Sequence, residues 1–232
     1  MIADNPDSKI LNLAKIRASA GIQHSDYVPV NGIWLENYEG SHGNIVFRPN
    51  YDGNFWGGYL SHYPLSDFDL ETAYKYNLGA DLRLFRGLSL TADAYYYRRS
   101  NIMMSANDLN SWVVGRPDSY AVEGKVDSYG VEVGLDYTKR VNRYLQFHAG
   151  AMLTWGSNRI RNYIELPAES YQSHVGQRVD QAFGLEAIGF FKDEADIAAS
   201  PTQNFSNVRP GDIKYRDQNV DGIINEHDAV YF

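Results

Sequence analysis

The sequence predicts an all-β fold, part of an antiparallel transmembrane β-barrel with long extracellular loops, and three observations carry that expectation. Apolar and polar residues alternate over stretches of about 9–11 residues, the length a tilted strand needs to cross a bilayer. Charged side chains fall on one side of the alternation only. Short connections alternate with long ones, and every long one emerges at the same end of the strands.

The first strand is read at Ala14, Ile16, Ala18, Ala20 and Ile22, which alternate with Lys15, Arg17, Ser19 and Gly21. The clearest follows at Tyr74, Tyr76, Leu78, Ala80, Leu82 and Leu84. The intervening Lys75, Asn77, Gly79, Asp81 and Arg83 take the opposite face, because side chains along a strand repeat with a period of two. Phe85-Arg86-Gly87 is a short turn, and Leu88, Leu90, Ala92, Ala94 and Tyr96 return as the second arm of a hairpin. A second hairpin runs through Tyr129, Val131, Val133, Leu135 and Tyr137, turns at 138–144, and comes back through Leu145, Phe147, Ala149, Ala151, Leu153 and Trp155.

Lys75, Asp81, Arg83, Asp93, Glu132 and Asp136 all lie on the face opposite the apolar one. Tyr74, Tyr96, Tyr129, Tyr137 and Trp155 stand near the strand ends of the apolar face, where a membrane barrel carries its aromatic girdles. The long segments 23–73, 99–128 and 156 onward share one end. A soluble β-sandwich also alternates, but its strands are usually shorter and its long loops are divided between both ends. Five strands do not close a barrel, and an open edge in lipid is not viable, so the expectation is a fragment of a larger barrel.

Composition narrows the function. There is no cysteine, which removes thiolate catalysis, Cys-ligated zinc and disulfides. A net charge of -8 argues against nucleic acid, whose binding needs a basic surface. The mean hydropathy of -0.44 does not exclude a barrel, because inward polar residues dilute the average. The opening MIADNPDSKI is polar and is not a signal peptide, so the expectation is either a cytosolic protein or an exported one whose true N-terminus lies upstream. His24, His42, His62, His148, His174 and His227 have no zinc-ligand spacing, and no serine sits in a GxSxG setting, so no catalytic residues are assigned and an enzyme is not expected. Aromatics between glycines in GNFWGGYLSHY (53–63) suit either loop packing or stacking on sugar rings.

One motif carries possible metal chemistry. In DQNVDGIINEHD, Asp217, Asn219 and Asp221 occupy positions 1, 3 and 5 of a twelve-residue loop, Gly222 the sharp turn, the Ile223 carbonyl position 7 and Asp228 position 12. That is the ligand spacing of an EF-hand loop for a hard cation such as calcium. Asp228 replaces the usual bidentate Glu, which predicts weak affinity, and no helical pattern flanks the loop. An acidic turn without metal is the other reading.

AKIRASAGI (14–22), LETAYKYNLGADLRLFRGLSLTADAYYYRRSNIM (70–103), VDSYGVEVGLDY (126–137), VGQ (175–177) and PGDIKYRDQNVDGIINEHD (210–228) resemble, in the same order, segments of the C-terminal barrel of SusC/RagA-type TonB-dependent outer-membrane receptors. The resemblance covers nearly all of residues 1–232, with 210–228 as an acidic EF-hand-like loop inside an extracellular loop. Val220 stands where the family usually has glycine, and the chain ends at AVYF where further strands are expected, a pattern read as truncation. The resemblance implies part of a transporter in the Gram-negative outer membrane, in contact with its lipid, importing large nutrients (glycans or peptides). It implies a SusD-like surface lipoprotein as partner, and a TonB complex engaged through an N-terminal part with no counterpart here. The alternative, from another class, is a soluble calcium-dependent β-domain that binds carbohydrate or protein.

Overall fold

In the computed structural model the described residues are 3–5, 8–28, 32–41, 57–65, 68–109 and 118–232. The chain divides into two units, Met1–Ile164 and Glu165–Phe232. In chain order the strands of the first are β1 (Ala3–Asp4), β2 (Leu11–Ser25), β3 (Asn37–Ser41), β4 (Gly57–His62), β5 (Glu71–Leu84), β6 (Leu88–Ser105), β7 (Tyr120–Arg140) and β8 (Gln146–Asn162). A six-stranded sheet in the order β1-β2-β5-β6-β7-β8 holds all but β3 and β4, which pair with each other. Every pairing in the large sheet is antiparallel, and the sheet is an open part of a barrel rather than a closed one.

The register preserves the faces read from the sequence. Ala14, Leu82, Leu90, Leu135 and Ala151 form one row across five strands, and Ile16, Ala80, Ala92, Val133 and Leu153 form the next. Ala18, Leu78, Ala94, Val131 and Trp155 form a third. These rows leave large apolar side chains exposed, with Leu78 at 59% and Leu153 at 67%. Exposure on that scale is the mark of a face that meets an apolar medium rather than water.

Both hairpins form, with differences at their ends. Leu84 pairs with Leu88 around the turn at 85–87, where Phe85 and Arg86 take left-handed φ values of 53° and 57°. Asn12 Oδ1 accepts from Arg86 N at 2.8 Å, and Ile10 O accepts from Phe85 N at 2.9 Å, so the start of β2 and the residue just before it hold the strained turn in place. Gly87 is required there, since a Cβ would stand 2.5 Å from the carbonyl oxygen of Thr138. The second hairpin turns at 141–145, and Tyr137 pairs with Ala149. Asn142 Oδ1 organises that turn by accepting from Tyr144 N and Leu145 N. Leu145 accordingly lies in the turn and not in the strand.

The strands also run further at the other end than hydropathy suggests. Much of the segment 99–128, expected as loop, is strand: β6 continues to Ser105 and β7 begins at Tyr120. Backbone pairing continues after apolar alternation gives way to charge, because the ladder needs only N–H and C=O groups. Bulges interrupt it beyond Arg99, where Asn101 takes φ 56°.

The second unit contains β9 (Phe183–Leu185), β10 (Ala187–Phe190), α1 (Glu194–Ala198), β11 (Thr202–Gln203), β12 (Ile213–Tyr215), β13 (Ile223–Ile224) and β14 (Ala229–Tyr231). β9 pairs with β14 and β10 with β12, both antiparallel, while β11 and β13 are parallel. The buried residues of this unit include Phe191, Ile224, Ala229, Gln203 and Asp228. Gln203 works as a strand substitute: its amide donates to Ile213 O at 3.2 Å and accepts from Tyr215 N at 3.0 Å.

Candidate functional site

The acidic loop follows β12 and leads through β13 into β14. Its side chains are engaged by its own backbone. Asp217 Oδ1 accepts from Val220 N at 2.7 Å and Asp221 N at 3.3 Å, and its Oδ2 accepts from Gly222 N at 2.9 Å. Asn219 Oδ1 accepts from Asp221 N, and Asp221 Oδ1 accepts from Ile223 N at 2.8 Å. The chain turns sharply at Val220 (φ 62°) and Gly222 (φ 85°). Glycine is the residue best suited to such a backbone; Val220 adopts it with a β-branched side chain that is 84% exposed.

Asp228 has a different setting from the other acids. It is fully buried; Oδ1 accepts from Gln218 N at 2.8 Å and Oδ2 from Asn225 N at 2.9 Å. Asn225 in turn accepts from His227 N, and the Asn225 and Asp228 side chains form a reciprocal capping box around the turn at 226–228. Asp228 therefore ties the start of the loop to its end. The N-x-x-D spacing of NEHD is a capping-box signal that the metal-ligand reading passed over.

The sequence-derived set Asp217, Asn219, Asp221, Ile223 and Asp228 thus lies in one loop, with Asp217 half-buried, Asp221 and Ile223 exposed and Asp228 beneath them. Among the described residues no group of three or more His, Cys, Asp or Glu side chains is placed to share a metal ion. Backbone N–H groups donating to the loop carboxylates offset part of the repulsion expected among them.

A segment missed by the sequence reading braces this loop. Tyr171 Oη donates to His227 O at 2.6 Å, and Gln172 Nε2 donates to Glu226 O at 2.8 Å. Burial, reinforced by the charges of Glu169, Asp228, Asp217 and Asp221, pushes the Tyr171 hydroxyl above its ordinary pKa. Glu165 accepts from Ser173 Oγ at 2.6 Å and from His174 N at 3.0 Å, with His174 Nδ1 2.6 Å from Oε2. Burial alone would raise the Glu165 carboxyl, but the hydrogen bonds from His174 and Ser173 prevail and hold it below the usual carboxylate range. Lys214 forms an ion pair with Asp196 at 2.9 Å.

In the large sheet the polar face carries its own network. Arg17 Nη2 donates to Asp81 at 3.1 Å and Asp93 at 2.8 Å. Tyr95 lies over the backbones of Gly130 and Gly156, where added Cβ atoms would collide with its ring hydroxyl. Lys75, Gln23 and Tyr97 continue the same face, with the Lys75 ammonium 5.8 Å from the Tyr97 ring centre. A polar, hydrogen-bonded inner face opposite an exposed apolar one is what a water-filled membrane barrel requires. Of the stretch 53–63, residues 53–56 lie outside the described residues, and Gly57–His62 forms β4.

Comparison with known proteins agrees with this geometry. The family model described as "TonB dependent receptor-like, beta-barrel" matches residues 40–222. A curated relative, TonB-dependent receptor P26 of Formosa agariphila, is 25% identical over 171 residues, covering 69% of this chain and 17% of that protein. Among solved structures, the RagAB peptide transporter superposes with a TM-score of 0.66 at 14% identity, covering 97% of this chain and 23% of that one. The RagAB peptide importer in its "open-open" state gives 0.67 at 14% identity, again covering 97% and 23%. The chain thus spans only a minor part of the length of these relatives. It belongs to the TonB-dependent receptor β-barrel family of the outer membrane, and its open antiparallel sheet has the fold of part of such a barrel.

Proposed function

We propose that this chain is part of an outer-membrane importer of large nutrients, glycans or peptides, that is energised by TonB and works with a SusD-like surface lipoprotein. The observation that carries the reading is the two-faced sheet: three full rows of apolar residues outside, and the Arg17–Asp81–Asp93 and Tyr95 network inside. Such a wall fits passage of polar cargo through a lipid-embedded barrel. The likeness to RagAB, a peptide transporter by its description, favours peptides as one cargo class, while the lipoprotein partner is what the sequence resemblance implies. No bond-breaking step is assigned to any residue; the work is transport.

The test uses the full-length receptor in its own outer membrane. Uptake of fluorescent oligopeptides and oligosaccharides is measured in cells with and without the receptor gene, and the receptor is isolated with its bound proteins. Uptake of one cargo class that disappears with the gene, together with co-purification of a surface lipoprotein, supports the proposal. Unchanged uptake of both classes overturns the cargo reading, and isolation without a lipoprotein overturns the partner.

A hard cation at Asp217, Asn219, Asp221, the Ile223 carbonyl and Asp228 also belongs to the proposal, on the strength of their spacing. Such an ion would share the carboxylates with the loop's N–H groups, and at Asp228 with a buried capping interaction. Calcium titration of the receptor tests it.

A further inference from the structure

The outward face is apolar over most of its height, and it stops being apolar at a definite level. From Leu84 at the turn to Tyr74 is ten residues of β5. At about 3.4 Å per residue and a tilt of about 40°, that is roughly 25 Å along the membrane normal, the height of a barrel's apolar band. Tyr74 pairs with Arg98, Arg98 with Asp127, and Asp127 with Arg159, so these residues share the outward face at the upper edge of that band. The tyrosines Tyr76, Tyr96 and Tyr129 form the row just below. Short turns mark the periplasmic end of such barrels, which puts this level beside the outer leaflet.

The charges here are arranged, not scattered. Asp127 is 1% exposed and lies between two arginines, 2.9 Å from Arg98 Nε and 2.8 Å from Arg161 Nε. Arg98 Nη2 also donates to Tyr96 Oη at 2.8 Å. The two arginine side chains are 55% and 54% exposed, and Arg159 is exposed as well. A guanidinium has five N–H donors. Asp127 and Tyr96 take three hydrogen bonds from Arg98, and Asp127 takes one from Arg161. Among the described residues, donors on both therefore remain for an outside acceptor. Three arginines against one aspartate leave a positive excess on the lipid side of a chain whose net charge is -8.

We propose that Arg98 and Arg161, oriented by Asp127, together with Arg159 in the same row, bind the phosphate groups of a phosphorylated glycolipid in the outer leaflet. Planar guanidiniums match phosphate oxygens in forked hydrogen bonds, which are strong where water is partly excluded. The depth selects the ligand's source: a lipid headgroup is held at this level, and free phosphate is not. The tyrosine row beneath offers a surface for the sugar and the first acyl carbons. Asp127 on β7 holds the Arg98 and Arg161 guanidiniums from the two flanking strands in the absence of lipid. The proposal rests on the outer-membrane placement of the sheet.

The experiment uses full-length receptor, delipidated in non-ionic detergent and titrated with lipopolysaccharide or with the same lipopolysaccharide stripped of phosphate. Wild-type receptor is expected to bind the phosphorylated form at least about tenfold more tightly, a difference that needs no variant to fold. Arg159→Gln with Arg161→Gln should abolish that preference, whereas Lys75→Gln, on the inward face, should keep it. Millimolar inorganic phosphate should not displace the glycolipid. Equal binding of both forms by wild type overturns the proposal, as does a preference that survives the double substitution or displacement by inorganic phosphate. Failure of the membrane reading itself would look different: the receptor would stay soluble and monomeric without detergent.

Discussion

Arg17 on β2 reaches across Gly79 on β5 to the carboxylate of Asp93 on β6, with Nη2 2.8 Å from Oδ2. The three residues stand in one row, and the middle one has no side chain, so the arginine spans two strand spacings on the inner face. A Cβ on Gly79 would collide with the Asp93 carboxylate and lie 2.9 Å from Arg17 Cζ. Gly79→Val is therefore expected to expel the arginine and lower the unfolding stability of the full-length receptor by about 1–3 kcal/mol. Arg17→Ala should also destabilise, by leaving Asp81 and Asp93 without their shared partner. The double variant should lose less than the sum, because both changes break the same bridge. Thermal melts in detergent read the coupling; strict additivity would mean that the bridge contributes nothing.

The two faces of β5 can be distinguished by the same substitution at adjacent positions. Leu78 is in the middle of the apolar rows, 59% exposed, while Asn77 faces inward opposite Tyr95 and Ser19. Leu78→Arg is expected to cost about 2–4 kcal/mol near the bilayer midplane, and Asn77→Arg to change folding little. Refolding of the receptor into lipid vesicles over a urea series measures both. Equal costs would count against lipid contact at Leu78.

The faces and hairpins of this sheet were legible because a period of two, with charges confined to one side, fits a strand between an apolar medium and a polar one and fits little else. The strand ends were not. Above Tyr96 and Tyr129 the outward residues become Arg98 and Asp127, and a hydropathy pattern that was reporting lipid has nothing left to report, although pairing continues. The inner glycines were equally opaque. Gly79, Gly130 and Gly156 look like weak points of a strand, yet they are the floor on which Arg17 and Tyr95 lie. In the second unit the strands are two to four residues long, and side-chain amides such as Gln203 and Gln172 supplement their short backbone ladders, which no periodicity records. The acidic loop was legible as a spacing, while the burial of Asp228 was not.

Glu165 gives a pH prediction. Its carboxyl pKa is held below the ordinary range by His174 and Ser173, so the stability it contributes is complete above the unfolded-state value of about 4.3 and is lost as pH falls through the lower folded value. Hydrogen-exchange protection of 165–174 should be steady from neutral pH to about 5 and fall in stronger acid. Glu165→Gln should show reduced protection already at neutral pH. A variant indistinguishable from wild type at neutral pH would mean that the carboxylate contributes nothing to holding this segment.

Asp217 and Asp228 separate what the acidic loop does by itself from what a cation adds. Asp228→Asn puts an amide where two carboxylate oxygens now accept backbone N–H groups, and leaving one of them unmet in a buried place costs about 1–3 kcal/mol. The loop should then be cleaved faster by protease in the full-length receptor, with or without calcium, while the barrel keeps its melting behaviour. Asp217→Ala with Asp221→Ala removes the acceptors of Val220, Gly222 and Ile223 N–H groups and should also speed cleavage without metal. A bound cation would add a second effect on top of this: millimolar calcium, the range of weak extracellular sites, would slow cleavage of the wild-type loop and leave the double variant unprotected. Protection of both proteins alike would place the calcium elsewhere. Protection of neither would make the loop a turn closed by its own hydrogen bonds, with Asp228 as its buried clasp and the EF-hand spacing serving only the geometry of the turn.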